Sequence, residues 1–386
     1  MPDFTSTSAI KTKLKFILLL AFCAFFRHSA VANHEEATHS DTTKHESSVA
    51  HTGGSKSHEG AEKPIGDQIS NMILGHIGDN HDWDAFGHHI ILPLPVILYT
   101  KSKGLEFFMS SHFEHGHAEY KGYKLINSGA KIVWADGNKI ESIYDFSLTK
   151  VAVTLLLGSL IIILIFLSVA KAYRKRVGKA PRGFQNLIES LILFIRDSVI
   201  KSSVGPRYKE FMPLLLSIFW FIFIINLMGQ IPFFPGGANA TGNIAIPLVL
   251  ATTIFLYVTV NGNKSFWKHI LLPDVPYALY ILIVPIEILG FFLRPFVLML
   301  RLFANITAGH IIILGFFSLI FIFGSMQTWI GIAVSPASVA FTIFMGMLEL
   351  LVCFLQAFVF TLLSSLYIGM AIEDHGHHKP EKAHTH

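Results

Sequence analysis

The stretch 277–323, YALYILIVPIEILGFFLRPFVLMLRLFANITAGHIIILGFFSLIFIF, is nearly unbroken apolar sequence that nonetheless carries Glu287, Arg294, Arg301 and His310. Its roughly 47 residues would span about 70 Å as one helix, about twice what a perpendicular crossing of a bilayer requires. Either it forms two spans with no polar loop between them, or one long, tilted, broken helix packed against other protein. An ionisable group in mid-bilayer costs at least about 2.5 to 3.5 kcal/mol, so each of these four needs a partner or a path for ions. Arg294 and Glu287, seven residues apart and on about one helix face, can neutralise each other or serve a function. Arg301 is different: guanidinium stays charged at any depth, and no acidic residue lies within two turns of it on its own helix. It must face something anionic or wet.

Composition agrees with a membrane setting. Of 386 residues, 52% are hydrophobic and only 15% charged, with a mean hydropathy of +0.52, whereas about a quarter of residues are charged in soluble domains. The formal net charge of +4 lacks the basic excess needed to neutralise a nucleic-acid backbone, so no nucleic-acid partner is expected. Cys23 and Cys353 lie in different apolar segments, which rules out a disulfide framework and a CxxC pair. No cofactor is expected. Twenty histidines are present, but thirteen precede Tyr120 and five follow Asp374; only His269 and His310 belong to the apolar core of the chain.

Working outward from 277–323, the chain divides into five parts. Residues 1–32 read as a signal peptide: Lys11, Lys13 and Lys15, a short apolar run Phe16 to Phe26, and an Ala-x-Ala end at Ala30 to Ala32. Residues 33–66 are His, Glu, Ser, Thr, Gly and Lys with almost no large apolar side chain, a composition expected to stay disordered; the recurrent His34, His39, His45, His51 and His58 would bind metal loosely at most. Residues 67–145 mix short apolar stretches, a turn signal at Asp136-Gly137-Asn138 and alternation at Lys131 to Trp134, and read as a small exported β-rich or α+β segment. Its His112, His115 and His117 are equally a surface loop or a metal cluster. Residues 146–372 are the membrane domain, and 373–386 a His/Lys tail.

Within the membrane domain, Leu148 to Ala170 is long enough to cross as a helix and is followed at once by six basic residues from Lys171 to Arg182, which place that end in the cytoplasm and the N-terminal region outside. Phe184, Leu187, Ile188, Leu191, Ile192 and Ile195 recur at helical spacing, the pattern of a cytoplasmic helix lying on the membrane surface. Phe211 to Ile231 and Ile244 to Val260 make a second and third crossing, 277–323 a fourth and about Pro336 to Ile372 a fifth, which leaves the tail cytoplasmic. The expected fold is an all-α polytopic membrane protein of about five crossings, with two long tilted helices, a cytoplasmic amphipathic helix and a small exported N-terminal segment.

Projected onto this topology, depth runs from Glu287 on the cytoplasmic side through Arg294 and Arg301 to His310 on the outer side. Glu349 and Gln356 in the last element run the other way, so His310 falls level with Glu349 and Arg301 with Gln356. The four-residue step from Arg301 to Asn305 puts both on adjacent turns. Two polar zones flank a central arginine, and an outer His/Glu pair suits proton transfer.

These residues also match a known family. Leu300-Arg301-Leu302-Phe303-Ala304-Asn305-Ile306-Thr307-Ala308-Gly309-His310 strongly resembles the signature of subunit a of the F-type ATP synthase, the membrane stator that faces the c-ring. Pro285-Ile286-Glu287 with Arg294-Pro295, Ile225-Asn226-Leu227-Met228-Gly229 and Leu355-Gln356-Ala357-Phe358-Val359-Phe360-Thr361-Leu362-Leu363 are similar to it too, and the likeness covers about 146–372. The resemblance implies that Arg301 attracts each c-subunit carboxylate and separates two aqueous half-channels. The outer one would be lined by Asn226, Asn305, His310, Glu349 and Gln356, and the cytoplasmic one would include Glu287. It further implies a subunit that makes no ATP by itself, sits in a bacterial inner membrane with its mature N-terminus periplasmic, and works with the c-ring, the b subunits of the peripheral stalk, lipid and protons. Some bacterial members carry the acid and the imidazole exchanged between the positions of His310 and Glu349, as in the reverse of the arrangement here. Two other classes remain open at this point: a secondary transporter whose Arg301 binds an anionic substrate, though no inverted repeat is visible, and an exported metal-binding protein on a membrane anchor, for which five crossings are excessive.

Overall fold

Period-two alternation builds the segment that precedes the first long apolar helix. The computed structural model describes residues 78–84, 91–116, 118–126, 129–136, 141–175, 177–231, 236–272 and 276–373. The expected signal peptide, the His-rich segment and the tail beyond Glu373 lie outside these residues, as does His117. Seven short strands follow one another: β1 (Asp82–Asp84), β2 (Ile91–Pro93), β3 (Pro95–Thr100), β4 (Gly104–Met109), β5 (Tyr123–Ile126), β6 (Lys131–Trp134) and β7 (Tyr144–Asp145). They form two antiparallel two-stranded ladders, β1-β2 and β5-β6, and a three-stranded sheet in the order β4-β3-β7. The expected strand at Lys131 to Trp134 is β6. Val96, Leu98 and Phe108 from one face of the larger sheet meet Phe113, Tyr123, Leu125, Ile132 and Trp134 in a single apolar core, where the Tyr123 and Trp134 rings stack at 4.7 Å. His112 is exposed with its ring against Tyr120, centroids 4.4 Å apart; among the described residues no cluster of three or more His, Cys, Asp or Glu is placed to hold a metal.

The chain divides into two compact units, one of residues 1–153 with 310–345, the other of 154–309 with 346–386. In the first, the N-terminal sheet is clamped to the opening turn of helix α1 (Lys150–Lys175). Asp79 accepts from the Val151 backbone N–H at 3.0 Å and from the Thr149 hydroxyl at 2.9 Å, and the Lys150 N–H bonds the Asn80 carbonyl at 2.9 Å. A carboxylate on free N–H groups at a helix N-terminus satisfies orphan donors and meets the positive end of the helix dipole. The same unit holds a sharp helical turn, in which Gln327 alone separates α7 (Tyr277–Met326) from α8 (Thr328–Ile372). Glycine permits this: a Cβ on Gly331 would lie 2.6 Å from the Gly324 Cα. Antiparallel packing continues below the turn, with Ser338 donating to the Phe316 carbonyl and Phe316 stacked on Phe341 at 5.2 Å.

The final helix therefore starts at Thr328 rather than near Pro336, and Pro336 sits inside it. Proline inside a membrane helix is tolerated where neighbouring helices and local adjustments re-satisfy the freed carbonyl. Of the two arrangements open for 277–323, the structure adopts the single helix, 50 residues long with Pro285 and Pro295 in its interior.

In the second unit the segment after Pro181 extends further than its amphipathic pattern predicts: α2 (Phe184–Phe194) runs through a π-helical stretch Ile195–Ile200 into α3 (Lys201–Val204) and, past a 3-10 turn, into α4 (Tyr208–Gly229). Ile188, Ile195, Val199, Ile200 and Val204 are buried there while Phe184, Leu187 and Phe194 are exposed. Helix α5 (Ala245–Asn261) meets α6 (Lys264–Leu271) at 105°. Among the described residues, four helical runs are long and apolar enough to cross a membrane, and up to five if the bent α5–α6 pair counts as one. The core of this unit is aliphatic and phenylalanine-rich, with Phe219, Trp220, Leu298, Leu302, Ala357 and Phe360 among its buried members.

Beneath the N-terminal sheet, His81 is 2% exposed. Its Nδ1 lies 2.8 Å from the Gly129 carbonyl oxygen and its Nε2 2.9 Å from Asp145 Oδ2. Both partners only accept, so both ring nitrogens must carry hydrogen and the imidazole is cationic. Burial opposes that charge, but the hydrogen bond and charge of Asp145 with the Gly129 carbonyl outweigh it and raise the His81 pKa above 6.5. For Asp145 burial pulls upward, and the His81 and Ser147 interactions overcome it to hold the carboxyl below 3.8. A raised histidine contributes stability that is complete below its unfolded pKa and is lost as pH rises through the folded one; the lowered carboxylate loses its contribution only in acid. Backbone hydrogen exchange of residues 78–149 in the full-length protein, corrected for intrinsic rates, should therefore show protection that falls across an alkaline titration beginning above the ordinary histidine value of 6.5. In His81→Gln that fall should vanish; equal protection of the unsubstituted protein at both ends would show that the pair contributes nothing.

Candidate functional site

Helix α7 turns one row of residues inward and another outward around Arg301. Leu298, Leu302 and Ile306, four residues apart, are buried, while Val297, Leu300, Arg301, Ala304, Asn305 and Ala308 are exposed. The outward face is apolar or small apart from Arg301 and Asn305, which sit one turn apart as the sequence spacing requires. Arg301 is absent from the ion pairs formed among the described residues. A guanidinium on an apolar surface is suited to an anionic group that approaches from outside the chain.

Glu349 of α8 is 3% exposed and lies against the backbone of α7 at Gly309. A Cβ there would stand 3.1 Å from both Cδ and Oε1 of Glu349. This contact fixes the register of the two helices in the second unit. Eight residues back along α7 lies Arg301 and seven forward along α8 lies Gln356, about 12 Å and 10.5 Å by helical rise. Arg301 and Gln356 are thus level, and Gln356 is buried at 5% exposure. Leu302 and Ala357, the next residues along, share the same buried cluster. His310, half-buried, belongs to the other compact unit.

Asn226 is buried in α4, and the Thr241 hydroxyl donates to its Oδ1 at 2.7 Å. The Asn226 Nδ2 and Asn239 Nδ2 donors are buried with no hydrogen-bond acceptor among the described residues. Leaving such a donor dry costs about 1 to 3 kcal/mol, so the two suit ordered water. Gln230, one turn beyond Asn226, lies beside Cys353, which in turn is one turn from Glu349. Sequence reading found Asn226 but missed Gln230, Asn239, Thr241 and Gly309; the amides stand at a helix end and in a loop, where polar residues are ordinary.

Toward the other end of α7, Glu287 and Arg294 line one cavity of about 190 Å³ together with Ser265, His269, Met370 and Glu373. They do not close to an ion pair, and the Arg294 guanidinium lies 5.8 Å from the Tyr367 ring instead. His269 and Glu373 carry no signal in the sequence because each sits in a polar flank. They are brought together by Asn263, whose backbone N–H bonds the Ala371 carbonyl at 2.8 Å and whose Nδ2 bonds the Ile372 carbonyl at 2.8 Å. That caps the orphan carbonyls at the end of α8 and seats α6 beside Glu373. The cavity has room for several waters between two carboxyl groups, an imidazole and a guanidinium.

A family model for the ATP synthase A chain matches residues 152–369, more than half of the chain, and the model of a domain of unknown function (DUF8433) matches residues 72–149. The chain is 43% identical over 251 residues to ATP synthase subunit a of Chloroherpeton thalassium, covering 63% of this chain and 71% of that protein. It is 43% identical over 249 residues to ATP synthase subunit a of Chlorobium phaeobacteroides, with 62% and 70% covered. ATP synthase subunit a 2 of Prosthecochloris aestuarii is 43% identical over 247 residues, with 62% and 73% covered.

The tight Gly309 contact has a measurable consequence. In Gly309→Ala the Glu349 carboxylate must yield by a few tenths of an ångström, and in Gly309→Val by more. Misplacement of a reacting group by about 1 Å can cost about 100-fold in rate, so proton flux through reconstituted vesicles should fall several-fold in the alanine variant and further in the valine variant. In a Glu349→Asp background, where the carboxylate is one methylene shorter, the alanine substitution should cost less; an undiminished flux in Gly309→Val would show that the position of Glu349 is immaterial.

Proposed function

Because this chain belongs to the ATP synthase A chain family, we propose that Arg301 is the partner of the c-ring carboxylates and that the polar zones on either side of it are the two half-channels of the Fo stator. The chain is a multi-pass membrane subunit of the F-type ATP synthase, and it serves ATP synthesis and proton transport as subunit a rather than as a secondary transporter. The observation that carries the role of Arg301 is its exposure on an apolar helix face, with small residues Ala304 and Ala308 on the turns beside it and no ion pair among the described residues. A charge so placed favours an anion brought by a neighbouring chain, and small neighbours allow that chain's helices to approach closely.

In this reading a proton enters from the periplasmic side by way of His310, Glu349 and the amides Asn226, Asn305 and Gln356, and it neutralises a ring carboxylate that has left Arg301. Rotation by one c subunit brings the next protonated carboxyl to the cytoplasmic side, where its proton leaves toward Glu287 and the cavity shared with His269 and Glu373. Arg301 keeps the carboxylate beside it ionised, because an opposite charge within a few ångströms favours the charged form and Coulomb attraction is strengthened away from water. The same fixed charge repels a proton that would pass directly from one half-channel to the other. The subunit performs no catalysis of its own. Its mature N-terminus lies in the periplasm and its C-terminus in the cytoplasm, and the b subunits of the peripheral stalk hold it against the torque of the ring.

Arg301→Ala should abolish ATP-driven proton pumping in inverted membrane vesicles, a loss of about 100-fold or more for the removal of a preorganised charge, while the complex still assembles. Arg301→Lys should fail nearly as badly, because a compact ammonium does not reproduce the guanidinium fork. Retained pumping in the alanine variant would overturn the assignment.

A further inference from the structure

The outward face of the exported three-stranded sheet is apolar throughout. Strand β4 presents Leu105, Phe107 and Met109, which are 70%, 66% and 37% exposed, whereas Phe108 between them is buried. Their register partners on β3 are Tyr99, Ile97 and Pro95. On the far side of β3, Tyr144 pairs with Tyr99, and the ladder runs on past β7, with the Phe146 N–H bonded to the Ile97 carbonyl at 2.8 Å and the Leu148 N–H to the Pro95 carbonyl at 3.1 Å. A three-by-three array results, bearing no charge. The opposite face of the same strands carries the domain core of Val96, Leu98 and Phe108. An antiparallel sheet with one face on its core ordinarily turns polar residues to water on the other, and contiguous exposed apolar patches mark binding surfaces.

The position of the array says what covers it. Its Pro95–Leu148 edge ends two residues before α1, which begins at Lys150 and is long and apolar enough to cross a membrane. The Asp79 and Asn80 bonds to Thr149, Lys150 and Val151 fix the sheet to that first turn, so the array cannot swing away from where the helix enters the bilayer. The array is thereby tethered within two residues of the start of the crossing helix. Tyrosine rings beside aliphatic side chains, here Tyr99 and Tyr144 with centroids 6.3 Å apart, are the composition found at the headgroup level.

We propose that this face of the exported domain lies in the lipid interface, with Leu105 and Phe107 inserted among the headgroups, so that the domain is held down on the outer surface of the bilayer rather than standing free in solvent. The inference rests on the reading of α1 as a membrane crossing and is independent of the role given to Arg301.

The test uses the complete synthase reconstituted in phosphatidylethanolamine and phosphatidylglycerol vesicles, with Leu105→Cys or Phe107→Cys labelled by bimane in a background where Cys23 and Cys353 are serine. Nitroxide attached to the lipid headgroup should quench both positions by about twofold, and aqueous iodide should quench them far less than it quenches a label at Asp136→Cys in the turn after β6. Each position reports separately, so failure of one variant to assemble leaves the other. Iodide quenching equal to the Asp136 label without nitroxide quenching would mean that the face is in water; shielding from both quenchers would mean that protein covers it. Either outcome overturns the proposal. ATP-driven pumping by the same vesicles is measured alongside, so loss of the lipid reading is distinguishable from loss of the function assigned to Arg301.

Discussion

The guanidinium of Arg301 stays ionised wherever it is put, and the second unit is built so that this charge stands on an apolar face. Moving it inward would require a buried carboxylate and the desolvation of both partners, a loss that Coulomb attraction repays only in good geometry. The inward row of α7 instead spends its positions on Leu298, Leu302 and Ile306, which join the common core. On the proposed reading the charge is left for a partner that comes and goes. A permanent partner would satisfy Arg301 and end its usefulness; an external one allows the interaction to be made and broken in turn.

For that exchange to couple to proton movement, the acidic groups must be held at fixed heights relative to Arg301. Two contacts in the second unit supply the ruler. The Gly309 backbone against Glu349 sets the register of α7 and α8 on one side of Arg301. On the other side, Asn263 closes on the Ala371 and Ile372 carbonyls and holds the end of α8 beside α6. The pair is held by packing and by hydrogen bonds to backbone carbonyls, so side-chain ion pairs between these helices are not needed to keep the register. Glu287 and Arg294 illustrate the point, since they share a cavity without closing on each other.

What was legible in the sequence follows from where a residue's chemistry contrasts with its surroundings. Glu287, Arg301, Asn226, Glu349 and Gln356 interrupt apolar helices, and each interruption is costly enough to notice. His269, Gln230, Thr241 and Glu373 stand in loops or helix ends, where polar residues are common, and only the folded chain brings His269 to Glu373 or Thr241 to Asn226. Gly309 was inside the recognised motif, but its reason is a distance to a residue forty positions away. The crossings were legible from length and hydropathy. The turn at Gln327 was not, because the contact of Gly331 with Gly324 removes the polar loop by which a hairpin is ordinarily found. The segment 184–204 was misjudged in extent because its apolar residues cover two faces, one packed and one exposed, and periodicity detects a single stripe.

The N-terminal sheet inverts the usual arrangement of charge and apolar surface, and one ion pair makes the inversion stable. Asp145 falls between Tyr144 and Phe146, so alternation turns it to the core side, beside buried Leu98, while its two neighbours turn outward. There it meets the doubly protonated His81. A slip of one residue in the pairing of β7 with β3 would carry Asp145 onto the apolar array and push Tyr144 into the place of a carboxylate, leaving the imidazolium buried without its counter-charge. The register of β7, and with it the outward direction of Tyr144, Phe146 and Leu148, is therefore fixed by a polar contact on the opposite face. Because the same ladder runs within two residues of Lys150, that contact also bears on the chain that enters the first turn of α1. A polar pair on one face of the sheet thus governs the register of a purely apolar surface on the other.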